Sequence, residues 1–356
     1  MGTPPSVSII INNFNYAKYV RDAVDSALHQ TYALVEVIVV DDKSTDDSLE
    51  VLRRYGSSIK LVALDKNLGQ GGAMNAGYEQ STGDIVFFLD ADDRLASDIV
   101  SRVVEVMLHH DYSKVHFPLS TIHEDGTEFE PIQLVPQTTL PSGNVTRMSV
   151  SQERTWPPTS GNAYTRKSLR KIMPIPEVPF RIAADVWLNV LAPYTGPINA
   201  VHSVGGFYRV HNENHSNFNR IVSIEEQEQL ALNVMSRAHV VEAWANKNVK
   251  PKYRHRLVDP WPDSVRLLFL LSAIKSPCPA ITNVTPVQLF VRGIRASRKT
   301  KVKFDIRSVL WFLFWFGLLL LLPRSQFTDS LSRACLTGQK SFKASLRSAL
   351  SGREAS

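Results

Sequence analysis

Cysteine is scarce in this chain. Its 356 residues hold two, Cys278 and Cys335. They lie far apart and not at a metal-ligand spacing, which argues against a disulfide framework or a zinc site and suits a reducing compartment. The N-terminus lacks the charged-then-apolar pattern of a secretory signal, because Val7–Ile11 already reads as a strand. Without such a signal the Asn-x-Ser/Thr sequons at Asn144, Asn214 and Asn283 read as chance occurrences. Glycine is absent from Asn12–Asn15, the turn after that first strand, where a nucleotidyltransferase would usually carry a glycine-rich, basic phosphate loop. Apolar length is limited too. The run Val309–Leu322 has 14 uncharged residues, and as a helix it would reach about 21 Å against the roughly 30 Å of a hydrocarbon core.

The net charge of +6 hides an asymmetry. From Arg292 to the end there are 13 Lys/Arg and 3 Asp/Glu, a net of +10, which leaves −4 for residues 1–291. A mildly acidic body and a strongly basic tail point to a tail that meets an anionic surface, not to a nucleic-acid-binding body. Arg298, Lys299, Lys301, Lys303 and Arg307 precede the apolar run, Arg324 follows it, and Trp311 and Trp315 lie within it. That combination fits a segment in or dipping into the headgroup region of an anionic leaflet. A basic helical pattern, Ser330–Leu350, comes next. The alternative is a buried core helix with a charged collar.

The N-terminal part alternates strand and helix patterns, the mark of a parallel α/β sheet. Strands are expected at Val7–Ile11, Val35–Val40, Ile59–Leu64 and Ile85–Leu89. Helices are expected near Ala17–Gln30, Asp46–Tyr55 and Gly71–Gln80, with Ser44-Thr45-Asp46 offering N-caps to the second. Further strands are expected at Val115–Phe117 and Glu128–Gln133, long loops between 131 and 179, and a helix at Ala183–Leu191. A helical pattern opened by Glu225, Glu226 and Glu228 runs from 222 to 275, broken by Pro260 and Pro262. The resulting division is 1–220, a catalytic domain; 221–290, a helical extension; and 291–356, a basic, aromatic, membrane-associating tail.

The buried-looking strand Ile85–Leu89 ends in Asp90-Ala91-Asp92-Asp93, three carboxylates in four residues. Unpaired acids beside a core are costly, so a cation is expected there. Oxygen ligands suit a hard ion, Mg²⁺ or Mn²⁺, which usually arrives bridging a substrate's phosphates. The other strand tips are polar as well, Asn12-Asn13 and Asp41-Asp42, and open α/β sheets bind ligands outside those carboxyl ends. Asp93 also reads as a cap for a helix starting near Leu95.

Three ordered blocks carry a family resemblance: Val7 to Tyr16; Glu36 to Asp46; and Asn67-Leu68-Gly69 through Asn75-Ala76-Gly77 to Thr82-Gly83-Asp84 and Asp92-Asp93. The chain resembles the inverting, nucleotide-sugar-dependent glycosyltransferases of family 2, densely over about 5–100 and sparsely over 155–216. The resemblance implies an α/β GT-A fold, a Rossmann-like mixed sheet flanked by helices, here with a C-terminal helical, membrane-associating extension. It puts Asn13, Phe14, Asp42, Asn75, Asp90 and Arg209 on the nucleotide sugar, with Phe14 and Asp42 at the base and Asp90 at the ribose. Phe14 as an ordinary buried aromatic and Asp42 as a helix N-terminal acid stay open as alternatives. Asp90-Ala91-Asp92 matches the family's DxD motif. Asp92 and His211, the latter in Phe207-Tyr208-Arg209-Val210-His211 with Asn214 and Ser216, are the implied ligands of a divalent metal, Mn²⁺ or Mg²⁺. His211 as a solvated loop histidine is the alternative. Gly161 and Asn162 fall in the loop implied on the acceptor side, and Asp185 at the implied general base.

Two departures stand out. Met74 replaces the Arg of the common Ala-Arg-Asn, and Ala184 stands where an acid is common before Asp185. The Gln-x-x-Arg-Trp motif and the several spanning helices of processive synthases are missing, which favours one sugar added per encounter. The implied partners are a nucleotide-diphosphate sugar, UDP-linked by family habit, and a hydroxyl acceptor, with a lipid-linked glycan suggested by the tail. The expected location is the cytoplasm, peripherally at the inner face of the cell membrane. A nucleotidyltransferase and a non-catalytic, membrane-bound glycosyltransferase-like module are the competing classes.

Overall fold

The N-terminal apolar segments fold as the middle of a seven-stranded sheet in the computed structural model, which describes residues 3–135, 142–143, 156–211 and 223–250. The tail 251–356, with Val309–Leu322, the helix-breaking prolines and the division at 290, lies outside the described residues, as do Asn144, Asn214, Ser216 and Asn283. Among the described residues no helix is long and apolar enough to cross a membrane. The chain divides into two units, 1–214 and 215–356.

In the first unit, β1 (Val7–Asn13) lies between β2 (Val35–Asp41) and β4 (Ile85–Asp90), parallel to both, and β3 (Lys60–Ala63) extends the β2 edge. These central strands are buried almost throughout, as strands covered on both faces must be. Val7, Ile9, Ile11 and Phe87 pack into one core with Val20, Ala23 and Val24 of α1 (Val20–Leu28) and Ile99, Val100 and Val103 of α4 (Ile99–His109). On the opposite face α3 (Gly69–Gln80) lies close to the strands. An added Cβ at Gly77 would come within 2.3 Å of Ile10 Cγ2, so only glycine admits this approach. The short helix α2 (Ser48–Arg53) has its first N–H bound by Asp46, whose other oxygen takes the Ala17 N–H.

Beyond β4 the sheet becomes mixed. Strand β9 (Asn162–Thr165) runs antiparallel to β4 and to β6 (Lys114–His116), and β10 (Ile198–Ala200) closes the far edge. A second, four-stranded sheet contains β5 (Arg94–Leu95), β7 (Leu119–Ile122), β8 (Leu134–Val135) and β11 (Gly206–Arg209), in the order β5-β11-β7-β8. Helices α5 (Arg166–Ile172) and α6 (Asp185–Leu191) complete this unit.

Two expectations are corrected. Residues Glu128–Gln133 do not form a strand. Glu128 makes an isolated bridge to Ile122, and Pro131, which has no N–H, interrupts the pairing until β8. No helix starts near Leu95 either, because Arg94–Leu95 pair with β11; the helix begins at Ile99 with Asp98 at its N-cap position. In the second unit α7 (Ile224–Asn248) opens with a capping box, in which Ser223 Oγ accepts from the Glu226 N–H and the Glu226 carboxylate accepts from the Ser223 N–H.

Candidate active site

The strand order reverses between β1 and β4, since β2 and β3 follow on one side and β4 lies on the other. A crevice outside the carboxyl ends of the strands at such a reversal is where open sheets take ligands. Asp90 ends β4 there. Its Oδ1 accepts from Asn12 Nδ2 at 2.8 Å and from Gln70 Nε2 at 3.0 Å. Burial, with the nearby Asp92 charge next, pushes its carboxyl up to about 7 despite the Asn12 bond.

Asp93 is buried and caps nothing helical. It accepts from Ser160 Oγ at 2.6 Å and from the Arg209 N–H at 3.0 Å, and burial foremost raises its carboxyl well above the ordinary range. Asp92 Oδ2 sits 3.0 Å from His211 Nε2, and both side chains are buried. The histidine is therefore not a solvated loop residue. Its ring lies 4.9 Å from that of Tyr19 and 5.7 Å from that of Tyr16, centroid to centroid. Among the described residues no three His, Cys, Asp or Glu groups converge on one point. Asp92 and His211 nevertheless fit a hard divalent cation of the kind that takes one or two protein donors and completes its shell with waters and substrate phosphates.

Asp185 is the first residue of α6, two positions after Ala183, whose φ of 58° is left-handed and strained for a side chain with a Cβ. Gln70 connects this turn to the carboxylates. Its Nε2 donates to Asp90 and to Thr159 Oγ1, and its Oε1 accepts the Ala184 N–H at 2.9 Å. The Asp185 charge is close enough to contribute to the upward displacement at Asp90.

The other sequence candidates sort into one exposed aromatic and a scaffold. Phe14 is 44% exposed at the tip of β1, so the buried-aromatic alternative is excluded. Asn13 joins β1 to β2 by donating to Asp41 Oδ1 and Ser44 Oγ. Asp42 takes the Leu68 and Gly69 N–H groups at 2.6 and 2.7 Å, so its helix N-terminal role is realised at α3. Gly69 itself needs φ +76°, and a Cβ there would meet the Arg181 carbonyl at 2.6 Å. Asn75 exchanges two 2.8 Å hydrogen bonds with the Ile175 backbone. Met74 is wholly buried, which suits the methionine found there in place of arginine. Asn162 donates to the carbonyls of Pro157, Pro158 and Thr159, and buried Gly161 accepts the Phe117 N–H.

Arg209 is 1% exposed on its side chain. Its guanidinium donates to the carbonyls of Asp92 and Glu124 and to Asp22 Oδ2 at 2.7 Å, and it lies over the Tyr19 ring. It thus braces the segment that carries His211. Sequence reasoning did not single out Gln70, Lys114 or Asn189, whereas Ser160 opens the Ser160-Gly161-Asn162-Ala163-Tyr164 loop implied on the acceptor side. A glutamine just before an expected helix and a lysine just before an expected strand carry no visible signal, and only the fold brings them to this region.

Residues 8–173 match the model of Glycosyl transferase family 2. An uncharacterized glycosyltransferase of Nostoc sp. strain PCC 7120 is 37% identical over 214 residues, 58% of this chain and 66% of that protein. Residues 8–173 are thus a segment of the family 2 glycosyltransferase type, just under half of the chain. The putative teichuronic acid biosynthesis glycosyltransferase TuaG of Bacillus subtilis strain 168 is 32% identical over 136 residues, 37% of this chain and 54% of TuaG. The matches span 54% to 66% of these two relatives' own lengths. S. aureus TarS 1-349, solved in complex with UDP-GlcNAc, superposes with a TM-score of 0.51 at 16% identity, over 85% of this chain and 92% of that one. The shared fold is GT-A.

Proposed function

We propose that this protein is an inverting glycosyltransferase that moves a sugar from a nucleotide-diphosphate sugar to a hydroxyl acceptor. The observation that carries the reading is Gln70, whose single side chain binds Asp90 on the donor side and the backbone one residue before Asp185. Two groups with different tasks thereby share one cleft.

Asp185 takes the proton of the acceptor hydroxyl, and that oxygen attacks the anomeric carbon from the face opposite the nucleotide. One displacement inverts the centre and needs no covalent enzyme intermediate. A divalent cation, Mn²⁺ or Mg²⁺, held by Asp92 and His211 would offset the charge that develops on the departing diphosphate. Phe14 offers the base a ring face at the β1 tip, and Asp90 with Asn12 faces the ribose. Asp42, Asn75, Asn13 and Arg209 shape that donor pocket from behind. Gly161 and Asn162 hold the loop on the acceptor side.

The donor is a UDP-sugar, the class present in the TarS complex. The acceptor is a lipid-linked glycan in surface polysaccharide assembly, a reading supported by the likeness to TuaG and by the basic, Trp-bearing tail, which binds the inner face of the cell membrane from the cytoplasm. Replacing Asp185 with Asn is expected to lower sugar transfer by about 10²–10⁴-fold, the usual worth of a general base, while donor-induced thermal stabilisation persists. Full turnover by Asp185→Asn removes Asp185 from that role.

A further inference from the structure

Behind Asp185 lies a polar cluster with no evident structural need. Lys114 of β6 is fully buried. Its Nζ lies 4.3 Å from the centre of the Trp156 ring and 5.6 Å from that of Tyr164, and donates to Asn189 Oδ1 at 2.5 Å. The Tyr164 hydroxyl donates to the same Oδ1 at 3.0 Å. Burial drives the Lys114 amine well below its ordinary range and the Tyr164 phenol well above, with the Asp185 charge opposing the first and adding to the second. A buried lysine is costly and an apolar residue of its size is often as stable or more so, so its presence asks for a reason.

The reason is in the orientation of one amide. Asn189 stands four residues after Asp185 on α6, the spacing at which helical side chains meet. Its Nδ2 faces two groups that only accept, Asp185 Oδ2 at 3.5 Å and the Pro157 carbonyl at 3.4 Å, while its Oδ1 faces the two donors. A flipped carboxamide would set its oxygen against a carboxylate and a carbonyl, so the cluster admits one orientation. The 3.5 Å contact is long, as catalytic hydrogen bonds often are before substrate arrives.

We propose that Asn189, locked by Lys114 and Tyr164, is a positioning residue that presents an N–H to Oδ2 of Asp185 and so sets the orientation of this carboxylate toward the acceptor hydroxyl. The catalytic part rests on the reading of Asp185 as general base; the contact itself does not.

The test uses Asn189→Leu and, should that variant not fold, Lys114→Met, which removes a donor without stranding a charge. The substrate-free arm follows the Asp185 carboxyl by ¹³C NMR titration, assigned with Asp185→Asn. Lys114, Tyr164 and Asp90 are titratable groups among the described residues that interact with its charge. Loss of the N–H is expected to raise the midpoint by roughly 0.5–1 pH unit, because a hydrogen bond to the charged form favours it. The kinetic arm measures UDP release from UDP-GlcNAc with Mn²⁺ at pH 8. Turnover is expected to fall by roughly 10–100-fold with donor KM within about twofold, since misplacing a reacting group by an ångström has that effect. An unchanged midpoint in the folded variant overturns the proposed contact. A shifted midpoint with wild-type turnover overturns its role in positioning. Wild-type turnover by Asp185→Asn overturns the general-base reading, and with it only the catalytic half of this inference.

Discussion

Replacing Asp90 with Asn is expected to stabilise the metal-free protein, increasingly so as pH rises. The Asp90 carboxyl is pushed from an ordinary 3.8 to about 7, chiefly by burial and then by Asp92. Moving it that far makes ionisation cost up to about 4 kcal/mol more in the folded chain than in the unfolded one. The sign follows from proton counting. Below pH 3.8 both states hold the proton and the group contributes nothing. Between 3.8 and about 7 the unfolded chain has lost the proton and the folded chain keeps it, so stability falls with rising pH. Above about 7 the full penalty is present. Asparagine preserves the Oδ1 that accepts from Asn12 and Gln70, so the exchange leaves those contacts in place. Urea unfolding in EDTA should therefore give the wild type and Asp90→Asn similar midpoints near pH 4. Near pH 8 the variant should be more stable by about 1–3 kcal/mol, less than the ceiling because the folded site relaxes around the charge. Equal pH dependence of the two proteins would refute a strained carboxylate at the β4 tip.

Arg209→Met should destabilise the first unit by about 2–4 kcal/mol in the same assay, because it removes donors from the Asp92 and Glu124 carbonyls and the partner of Asp22. An exposed arginine whose only task was to meet phosphate would leave the midpoint unchanged. Deleting residues 296–356 should move the protein from the membrane to the soluble fraction of a cell lysate; a full-length protein that is already soluble at low salt contradicts the membrane reading.

The parallel core was legible because its strands are buried on both faces. Ile85–Leu89 is a continuous apolar run, Val7–Ile11 and Val35–Val40 are interrupted only by Ser8 and Glu36, and each ends in polar residues where the cleft opens. The short strands were less legible. Arg94–Leu95 has no periodicity of its own and becomes a strand only by pairing with β11, which also withdraws Asp93 from any cap. The antiparallel strand Asn162–Thr165 was readable only as a loop, since its pairing with β4 and β6 is long-range. Polar residues posed a different difficulty. Asp42 and Asn75 carry the right chemistry for a ligand, yet their hydrogen bonds go to backbone at the N-terminus of α3 and at Ile175. A sequence announces the residue type and leaves open which partner takes it. Gln70 and Asn189 are the converse, unremarkable as residue types and decisive by position.

The central claim is that Asp92 and His211 serve a metal-dependent nucleotide-sugar site, and thermal denaturation tests it most directly. Full-length protein is melted with UDP-GlcNAc and other UDP-, GDP- and dTDP-sugars, with and without Mn²⁺. One donor should stabilise the wild type only when Mn²⁺ is present, by about 2.7 kcal/mol at a hundredfold excess over its Kd. That stabilisation should vanish in Asp92→Ala. A donor shift that needs no metal, or one that survives intact in Asp92→Ala, would contradict the claim.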